Sequence, residues 1–289
     1  MKVAIVTDSN SGITQGEAKS IGAYVIPMPF IVNDEEYFED ISLTQEQFYQ
    51  KLADGADIST SQPAIGQVTE FWDELLKEYD EIVHMPMSSG LSESCNTAKN
   101  LAKDYNGRVQ VVDNRRISVT LKQATIDAVN MAKDGFTAKE IKDYLERTAG
   151  DSSIYIMIDT LKYLKKGGRL TPAAALIGTM LKIKPVLQIQ GGKLDAFAKV
   201  MNVQVGKSKM IAAIKKDFET RFAEYVKNGE MELQVAYTNC REKAEAFASE
   251  IRAQIPNVKL TYIDPLSLSV ACHIGSGAIA VACARIYQK

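Results

Sequence analysis

Lys2-Val-Ala-Ile-Val-Thr7 stands near the start of the chain, and Asp8-Ser9-Asn10-Ser11-Gly12 follows it directly. A short β-branched apolar run that ends in turn-forming residues predicts a buried strand leading into a turn. The pattern recurs at Glu81-Ile-Val-His-Met-Pro-Met87, which is followed by Ser88-Ser89, and at Arg108–Val112. Apolar residues at helical spacing fill the stretches between these runs. Strands alternating with helices predict an α/β fold with a mainly parallel sheet covered on both faces.

The alternation of strands and helices continues in the second half of the chain, and Gly150-Asp-Ser-Ser153 is the best boundary between the halves. We therefore expect two α/β domains with mainly parallel sheets, residues 1–153 and 154–289. Gly191-Gly192 between two apolar runs predicts a β-hairpin. Near the end of the chain, the apolar run Gly277–Ala284 predicts a helix.

Composition narrows the class of protein. The 289 residues are 46% hydrophobic and 24% charged, which is ordinary for a globular protein with a sizeable core. A formal net charge of −2 gives no general attraction to nucleic acid or to an anionic membrane. The four cysteines include no CxxC pair, so neither zinc nor a disulfide framework is indicated. Asp8 comes too early for a signal peptide, and no apolar run is long enough to span a bilayer, so we expect a cytoplasmic location with no integral membrane segment.

Three consecutive hydroxyl residues, Ser59, Thr60 and Ser61, precede Pro63 and an amphipathic helical pattern. Proline suits the first helical position, so the hydroxyls are expected just ahead of a helix N-terminus. There the unpaired N–H groups and the helix dipole can hold an anion. The simpler interpretation is that these residues only cap the helix and form a turn.

The chain has two histidines, and one serine lies in a nucleophile-like context. His84 lies inside an apolar strand, which favours a hydrogen-bonded core residue. His273 is expected at a strand end, where its imidazole can donate to a carboxylate. Gly90-Leu-Ser92-Glu-Ser94 approaches the GxSxG elbow of serine hydrolases, but Ser94 replaces the second glycine. An esterase or thioesterase that uses Ser92 and His273 is therefore an alternative function.

Two further patterns have competing interpretations. Gly167-Gly168-Arg169 is typical of a helix C-cap with a surface arginine. Asp8, Asp113 and Asp159 all end predicted strands, where they can ligate a metal or cap a helix, and their spacing does not favour a metal site. No Walker sequence and no GxGxxG motif follow a strand, so we expect no cofactor.

Taken together, six motifs in order along the chain resemble the DegV family of bacterial fatty-acid-binding proteins. The motifs are Val6-Thr-Asp-Ser9, Thr60-Ser-Gln-Pro63, Ser88-Ser-Gly-Leu-Ser92, Tyr163-Leu-Lys-Lys-Gly-Gly-Arg169, Leu181-Lys-Ile-Lys-Pro185 and His273-Ile-Gly-Ser-Gly-Ala278.

The resemblance implies two α/β domains with a ligand tunnel between them. It also implies a protein that binds a long-chain fatty acid such as palmitate and is not itself an enzyme. Some family members are the binding subunit of a fatty-acid kinase, and they present the carboxylate to a separate ATP-using subunit that makes acyl phosphate for phospholipid synthesis. A regulatory module that only senses the bound lipid is a further alternative.

Carried over position by position, the resemblance implies that Thr60 and Ser92 hydrogen-bond the carboxylate, with Ser89 as the alternate to Ser92. It places His273 close to the head group. Arg169 is expected to assist His273 or to contact the incoming kinase.

Other features of the sequence bear on the same site. Glu93 and Ser94 stand where the family pattern has Gly-Thr, and Ser276 replaces a proline. Glu93 would place a negative charge near the carboxylate unless its side chain points to solvent. The apolar stretch Ala173–Leu181, with Ile177 and Met180, is expected either to form the tunnel wall or to be ordinary core.

Overall fold

The computed structural model describes residues 1–169 and 183–289. Its contacts divide the chain into two compact units. The first unit comprises Met1–Ala149, Ser267–Ser269 and Lys289, and the second comprises Gly150–Leu266 and Val270–Gln288. The expected tunnel-wall helix at 173–181 lies outside the described residues, and the boundary at 153 and 154 stays a prediction.

The first unit contains a four-stranded parallel sheet and a three-stranded antiparallel sheet. Its strands are β1 (Val3–Asp8), β2 (Tyr24–Ile26), β3 (Pro29–Val32), β4 (Glu35–Phe38), β5 (Ile58–Thr60), β6 (Glu81–Met85) and β7 (Val109–Val111). The larger sheet has the order β2-β1-β6-β7, and its three pairings are all parallel. This confirms the parallel α/β arrangement predicted for the first half of the chain.

The first unit also contains α-helices. They are α1 (Gln15–Ile21), α2 (Gln45–Ala53), α3 (Ile65–Leu75), α4 (Ser94–Leu101), α5 (Ser118–Lys133) and α6 (Ala138–Arg147). Thr44 and Thr137 each form a capping box with the residue three positions later, which defines where α2 and α6 begin. Trp72 of α3 is fully buried in an apolar cluster with residues of α4 and the sheet.

The hydroxyl stretch differs from its prediction. Ser59 and Thr60 belong to β5, which pairs with β3 in the small sheet. The following helix begins at Ile65 and has no side-chain cap, so Pro63 precedes the helix instead of opening it. Pairing with a neighbouring strand satisfies the backbone here, and the hydroxyls neither cap α3 nor lie at its N-terminus.

The second unit contains a six-stranded sheet with the order β10-β9-β8-β13-β11-β12. Its strands are β8 (Ser152–Met157), β9 (Lys184–Ile189), β10 (Leu194–Val200), β11 (Met231–Tyr237), β12 (Leu260–Pro265) and β13 (Ile279–Arg285). The pairing of β11 with β12 is parallel, and the other four pairings are antiparallel. The α/β class is confirmed, whereas the expectation of a mainly parallel sheet is wrong for this unit. The predicted hairpin at Gly191-Gly192 joins β9 to β10, and both glycines have positive φ.

The apolar run near the end of the chain is a strand and not the predicted helix. It forms β13, which pairs with β8 on one side and β11 on the other. A strand buried in the middle of a sheet is apolar on both faces, and its periodicity cannot be told from that of a short buried helix.

His273 lies in one of the helices of the second unit and not where the sequence predicts it. These helices are α7 (Lys162–Lys166), α8 (Val203–Glu219), α9 (Ala223–Lys227), α10 (Arg241–Gln254) and α11 (Leu268–Ile274). The first two residues of α11 belong to the first unit. His273 lies in the last turn of α11 and not at a strand end. Within the described ranges, no helix combines the length and apolar character that a membrane crossing requires.

Candidate functional site

The loop that follows β6 carries the serines predicted to contact a carboxylate. Ser88 is fully buried, and its backbone N–H donates to the Arg116 carbonyl at 2.9 Å. Its carbonyl accepts from the Ser92 N–H at 3.2 Å, and its hydroxyl accepts from the Gly90 N–H at 3.1 Å. Ser88 thus fixes the loop from inside and leaves Ser89 and Ser92 on its outer side.

Ser89 is engaged with a neighbouring strand end. Its hydroxyl donates to Asp113 Oδ2 at 2.5 Å, and its backbone N–H donates to Oδ1 at 3.3 Å. Lys99 lies 3.6 Å from the same carboxylate. Burial raises the Asp113 pKa, but the two Ser89 bonds and the Lys99 charge outweigh it, so the pKa is below its usual value. The Ser89 proton therefore already has a strong acceptor.

Ser92 is arranged differently from Ser89. Its Oγ accepts from the Ser94 N–H at 3.2 Å, and no acceptor in the described part of the chain takes its proton. The half-buried Ser92 hydroxyl is thus able to donate to a ligand. Glu93 is exposed and accepts from Asn96 Nδ2 at 2.9 Å, so its charge is directed to solvent.

A side-chain hydrogen bond connects the two hydroxyl segments. Thr97 Oγ1 of α4 donates to Gln62 Oε1 at 3.0 Å. Gln62 follows Thr60 by two residues, and α4 begins two residues after Ser92. The bond therefore ties the segment after β5 to the helix that follows the serine loop.

The three strand-end aspartates have separate partners instead of sharing a metal. Asp8 accepts from the Asn10 N–H at 3.0 Å and the Met87 N–H at 2.9 Å, while burial raises its pKa to about 6. Asp113 is bound to Ser89 as described above, and Asp159 pairs with Lys184 at 2.6 Å. Residues 1–169 and 183–289 contain no group of three His, Cys, Asp or Glu side chains that could hold a metal ion.

In the second unit, His273 packs closely on the segment that carries Arg169. A Cβ added to Gly167 would collide with His273 Nδ1, so the imidazole occupies the space that a side chain at position 167 would need. Gly167 is also the C-cap of α7, as predicted, and its carbonyl accepts from Arg169 Nη1 at 2.6 Å. Burial, and secondarily the Arg169 charge, lowers the His273 pKa to about 4. The imidazole is therefore neutral near pH 7, with one donor and one acceptor nitrogen.

Two more glycines of the second unit are packed equally closely. A Cβ on Gly275 would lie 2.6 Å from the Tyr163 ring, and a Cβ on Gly277 would lie 2.5 Å from Asp159 Oδ2. Both glycines have positive φ, so side chains are excluded by backbone conformation as well as by space. The segment around Tyr163 therefore packs closely against the segment that follows His273.

His84 is buried as predicted, but it is not a hydrogen-bonded core residue. Neither ring nitrogen has a partner within the described residues, and burial lowers the pKa to about 3. The ring packs edge-on against Trp72, with centroids 5.4 Å apart. It also lines a small pocket beside Asp8 and Ser94, which the sequence did not indicate.

The geometry around Ser92 does not favour a nucleophile elbow. In such an elbow the serine lies in a sharp turn directly between a strand and a helix. Here Ser92 comes seven residues after Met85, the last residue of β6, in a loop shaped by Ser88.

Comparisons with known proteins find matches that extend over almost the whole chain. The model of a family described as "Uncharacterised protein, DegV family" matches residues 2–285. A DegV domain-containing protein of Clostridium perfringens is 31% identical, with 97% of this chain and 96% of that protein covered. A fatty-acid-binding DegV family protein from Thermus thermophilus has a TM-score of 0.89 at 25% identity, covering 99% of this chain and 100% of the other. The fatty-acid-binding protein DegV from Bacillus subtilis has a TM-score of 0.85 at 26% identity, covering 99% of both chains.

Proposed function

This chain belongs to the DegV family, and on that premise we propose that it binds one long-chain fatty acid and catalyses no reaction itself. The related proteins from Thermus thermophilus and Bacillus subtilis are described as fatty-acid-binding. The observation that carries the proposal here is the Ser92 hydroxyl, whose proton has no acceptor within the described residues although the Ser89 hydroxyl of the same loop donates to Asp113.

In this proposal the carboxylate of the fatty acid accepts hydrogen bonds from Thr60 and Ser92. Neutral hydroxyls suit a bound anion, because they donate without attacking it. Charge-assisted bonds of this kind contribute about 1.5–3 kcal/mol each. Ser89 contributes less directly, since its proton is already donated to Asp113. The role of Ser89 is to hold the loop in shape.

His273 and Arg169 act on the same head group in this proposal. A neutral imidazole can donate one hydrogen bond to a carboxylate, and the lowered pKa of His273 keeps it neutral near pH 7. Arg169 is exposed and always charged, so it is suited to contact the head group or an incoming protein. Gly167 contacts both side chains, because it has no Cβ that would collide with the imidazole and its carbonyl accepts from Arg169.

The acyl chain supplies most of the affinity. Burying roughly 14 methylenes at about 0.8 kcal/mol each gives on the order of 11 kcal/mol before the costs of association and ordering. The hydroxyls then set the orientation of the fatty acid in its site. We further propose, as the family resemblance implies, that an ATP-using kinase subunit phosphorylates the presented carboxylate.

The first experiment is to purify the protein from bacteria, extract it with solvent and identify the lipid by mass spectrometry. About one fatty acid per chain is expected. The second is to replace Thr60 and Ser92 together (Thr60→Val, Ser92→Ala), which should abolish acyl-phosphate formation with the kinase while circular dichroism stays unchanged. Ser59→Ala is the matched control, because Ser59 lies next to Thr60 in β5 and is exposed.

The proposal fails if the purified protein is empty and takes up no palmitate. Unchanged kinase activity in the double variant would remove Thr60 and Ser92 from the site. Covalent labelling of Ser92 by a fluorophosphonate would instead support the esterase alternative.

A further inference from the structure

Two adjacent anchor residues, Asp8 at the end of β1 and Ser9 directly after it, bind the backbone of two different segments of the first unit. Asp8 Oδ2 accepts from the Met87 N–H at 2.9 Å. Ser9 Oγ accepts from the Met28 N–H at 3.0 Å. Both anchor residues belong to the motif Val6-Thr-Asp-Ser9, to which the proposed function gives no role.

The bond from Asp8 leads to the serine loop. Met87 directly precedes Ser88, the fully buried residue whose carbonyl accepts from the Ser92 N–H at 3.2 Å. Asp8 is only 2% exposed, and its other oxygen accepts from the Asn10 N–H at 3.0 Å. Because N–H donors hold both carboxylate oxygens in a buried place, Asp8 is a rigid support for the start of the loop. The position of Ser92 therefore depends on Asp8.

The bond from Ser9 leads to the small sheet that contains Thr60. Met28 directly precedes β3, and Phe30 of β3 lies opposite Thr60 of β5. Paired strands keep their register through backbone hydrogen bonds, so a shift at the start of β3 is passed on to β5. The position of Thr60 therefore depends on Ser9.

The anchored segments also meet at one pocket of the first unit. Asp8 and Met28 line this small pocket together with Gln62 and Ser94. Gln62 and Ser94 each follow one of the two proposed carboxylate donors by two residues, and the Ser94 N–H donates to Ser92 Oγ at 3.2 Å. The support of both hydroxyl segments is thus concentrated around the end of β1.

We propose that the anchor residues are positioning residues for the two hydroxyls that hold the carboxylate, with Asp8 setting the position of Ser92 and Ser9 that of Thr60. Because the two anchor residues are adjacent in the chain, both hydroxyls are held relative to the same turn. The role in ligand binding rests on the function proposed above. The effect of each anchor residue on its own segment does not depend on that function.

The first test records the backbone ¹⁵N–¹H spectrum of the protein without bound lipid. Asp8→Ala should shift the Ser92 and Ser94 signals more than the Thr60 signal, because it releases the start of the serine loop. Ser9→Ala should shift the Thr60 signal more than the Ser92 signal, because it releases the start of β3.

Asp80→Ala is the matched control for Asp8→Ala. Asp80 Oδ2 accepts from the Lys2 N–H at 2.8 Å, so this variant also removes a carboxylate that holds a backbone N–H next to β1, but at the opposite end of the strand. It should leave the Ser92 signal as in wild type. Ser9→Ala removes one bond of a half-buried side chain, and it keeps the inference testable if Asp8→Ala does not fold.

The second test measures palmitate affinity in double-mutant cycles. Asp8→Ala should lower the affinity about tenfold in the wild-type background, but less than about twofold once Ser92→Ala has removed the hydroxyl that Asp8 positions. In the Thr60→Val background Asp8→Ala should still lower the affinity severalfold. Ser9→Ala should show the opposite pattern, because residues that act through one group give non-additive effects.

Different results point to different failures. Wild-type Ser92 and Thr60 signals in both anchor variants would overturn the inference, and so would equal shifts in Asp8→Ala and Asp80→Ala. Losses of affinity from Asp8→Ala that are the same in the Ser92→Ala and Thr60→Val backgrounds would overturn it as well. Signal shifts in the expected order in a protein that takes up no palmitate would uphold the positioning effect and refute the proposed function.

Discussion

The Ser89 hydroxyl donates to Asp113 over 2.5 Å and joins the loop after β6 to the end of β7. The bond distinguishes two serines of one loop, because the proton of Ser89 is engaged and that of Ser92 is not. Sequence alone leaves both as candidates for the carboxylate donor. In the proposed function we therefore assign the shape of the loop to Ser89 and the contact with the ligand to Ser92.

We predict that Ser92→Ala lowers fatty-acid affinity by about tenfold to a hundredfold, because one charge-assisted hydrogen bond is lost. Ser89→Ala should lower affinity less but reduce the free energy of unfolding by about 1–3 kcal/mol, since the half-buried Asp113 loses its closest donor. Palmitate titration and urea unfolding of both variants measure the two effects. A larger loss of affinity in Ser89→Ala than in Ser92→Ala would reverse the assignment.

The sequence predicts local features of this fold better than it predicts which strands pair with one another. The β1 strand with its turn and the Thr137 capping box are visible because each is specified by neighbouring residues. The antiparallel insertion of β13 between β8 and β11 is not visible, because it depends on pairing between distant strands. For the same reason the sequence does not predict β5, because its partner β3 lies more than twenty residues earlier.

The candidate site shows the same limit. The motifs containing Thr60, Ser92 and His273 can be found by resemblance, but their surroundings cannot. The bond between Ser89 and Asp113 joins positions that are 24 residues apart, and no motif links these two residues.

Gly167→Ala should displace His273. Position 167 has φ of −77°, so alanine is acceptable to the backbone, and the collision with the imidazole is the main obstacle, with a lesser one from the Tyr163 carbonyl. We expect fatty-acid affinity to fall about tenfold, with a shift in the His273 ring signals and little change in the far-ultraviolet spectrum. Gly150→Ala is the control, because an added Cβ there meets nothing within 4 Å. Equal behaviour of the two variants would show that the contact has no influence on binding.

His84 should make the protein sensitive to acid. Burial lowers its pKa from 6.5 to about 3, so between these values the unfolded chain binds a proton that the folded chain does not. The neutral His84 therefore does not reduce the free energy of unfolding above pH 6.5. Below this pH the free energy of unfolding falls, by on the order of 5 kcal/mol at pH 3.

His84→Phe removes this loss while keeping a ring against Trp72. The midpoint of acid unfolding should move to lower pH, with stability at pH 7.5 unchanged or slightly raised because two unpaired ring nitrogens are removed. Burial raises the pKa of Asp8 to about 6 and that of Glu39 to about 7. These two shifts affect stability with the opposite sign, but they are common to both proteins and cancel in the difference. An unchanged acid midpoint would mean that His84 is hydrated or paired in solution.

Thr97→Val should weaken ligand binding without contacting the ligand. The variant keeps the shape of the side chain but removes the donor to Gln62 Oε1, and with it the bond between the segment after β5 and α4. Because the bond is partly exposed, we expect a cost of about 0.5–1.5 kcal/mol, or a severalfold loss of palmitate affinity. A double-mutant cycle with Gln62→Leu isolates the pair, since residues that share one bond give non-additive effects. If the two losses simply add, the bond does not align Thr60 with Ser92, and the two hydroxyls must be held in place by their own loops.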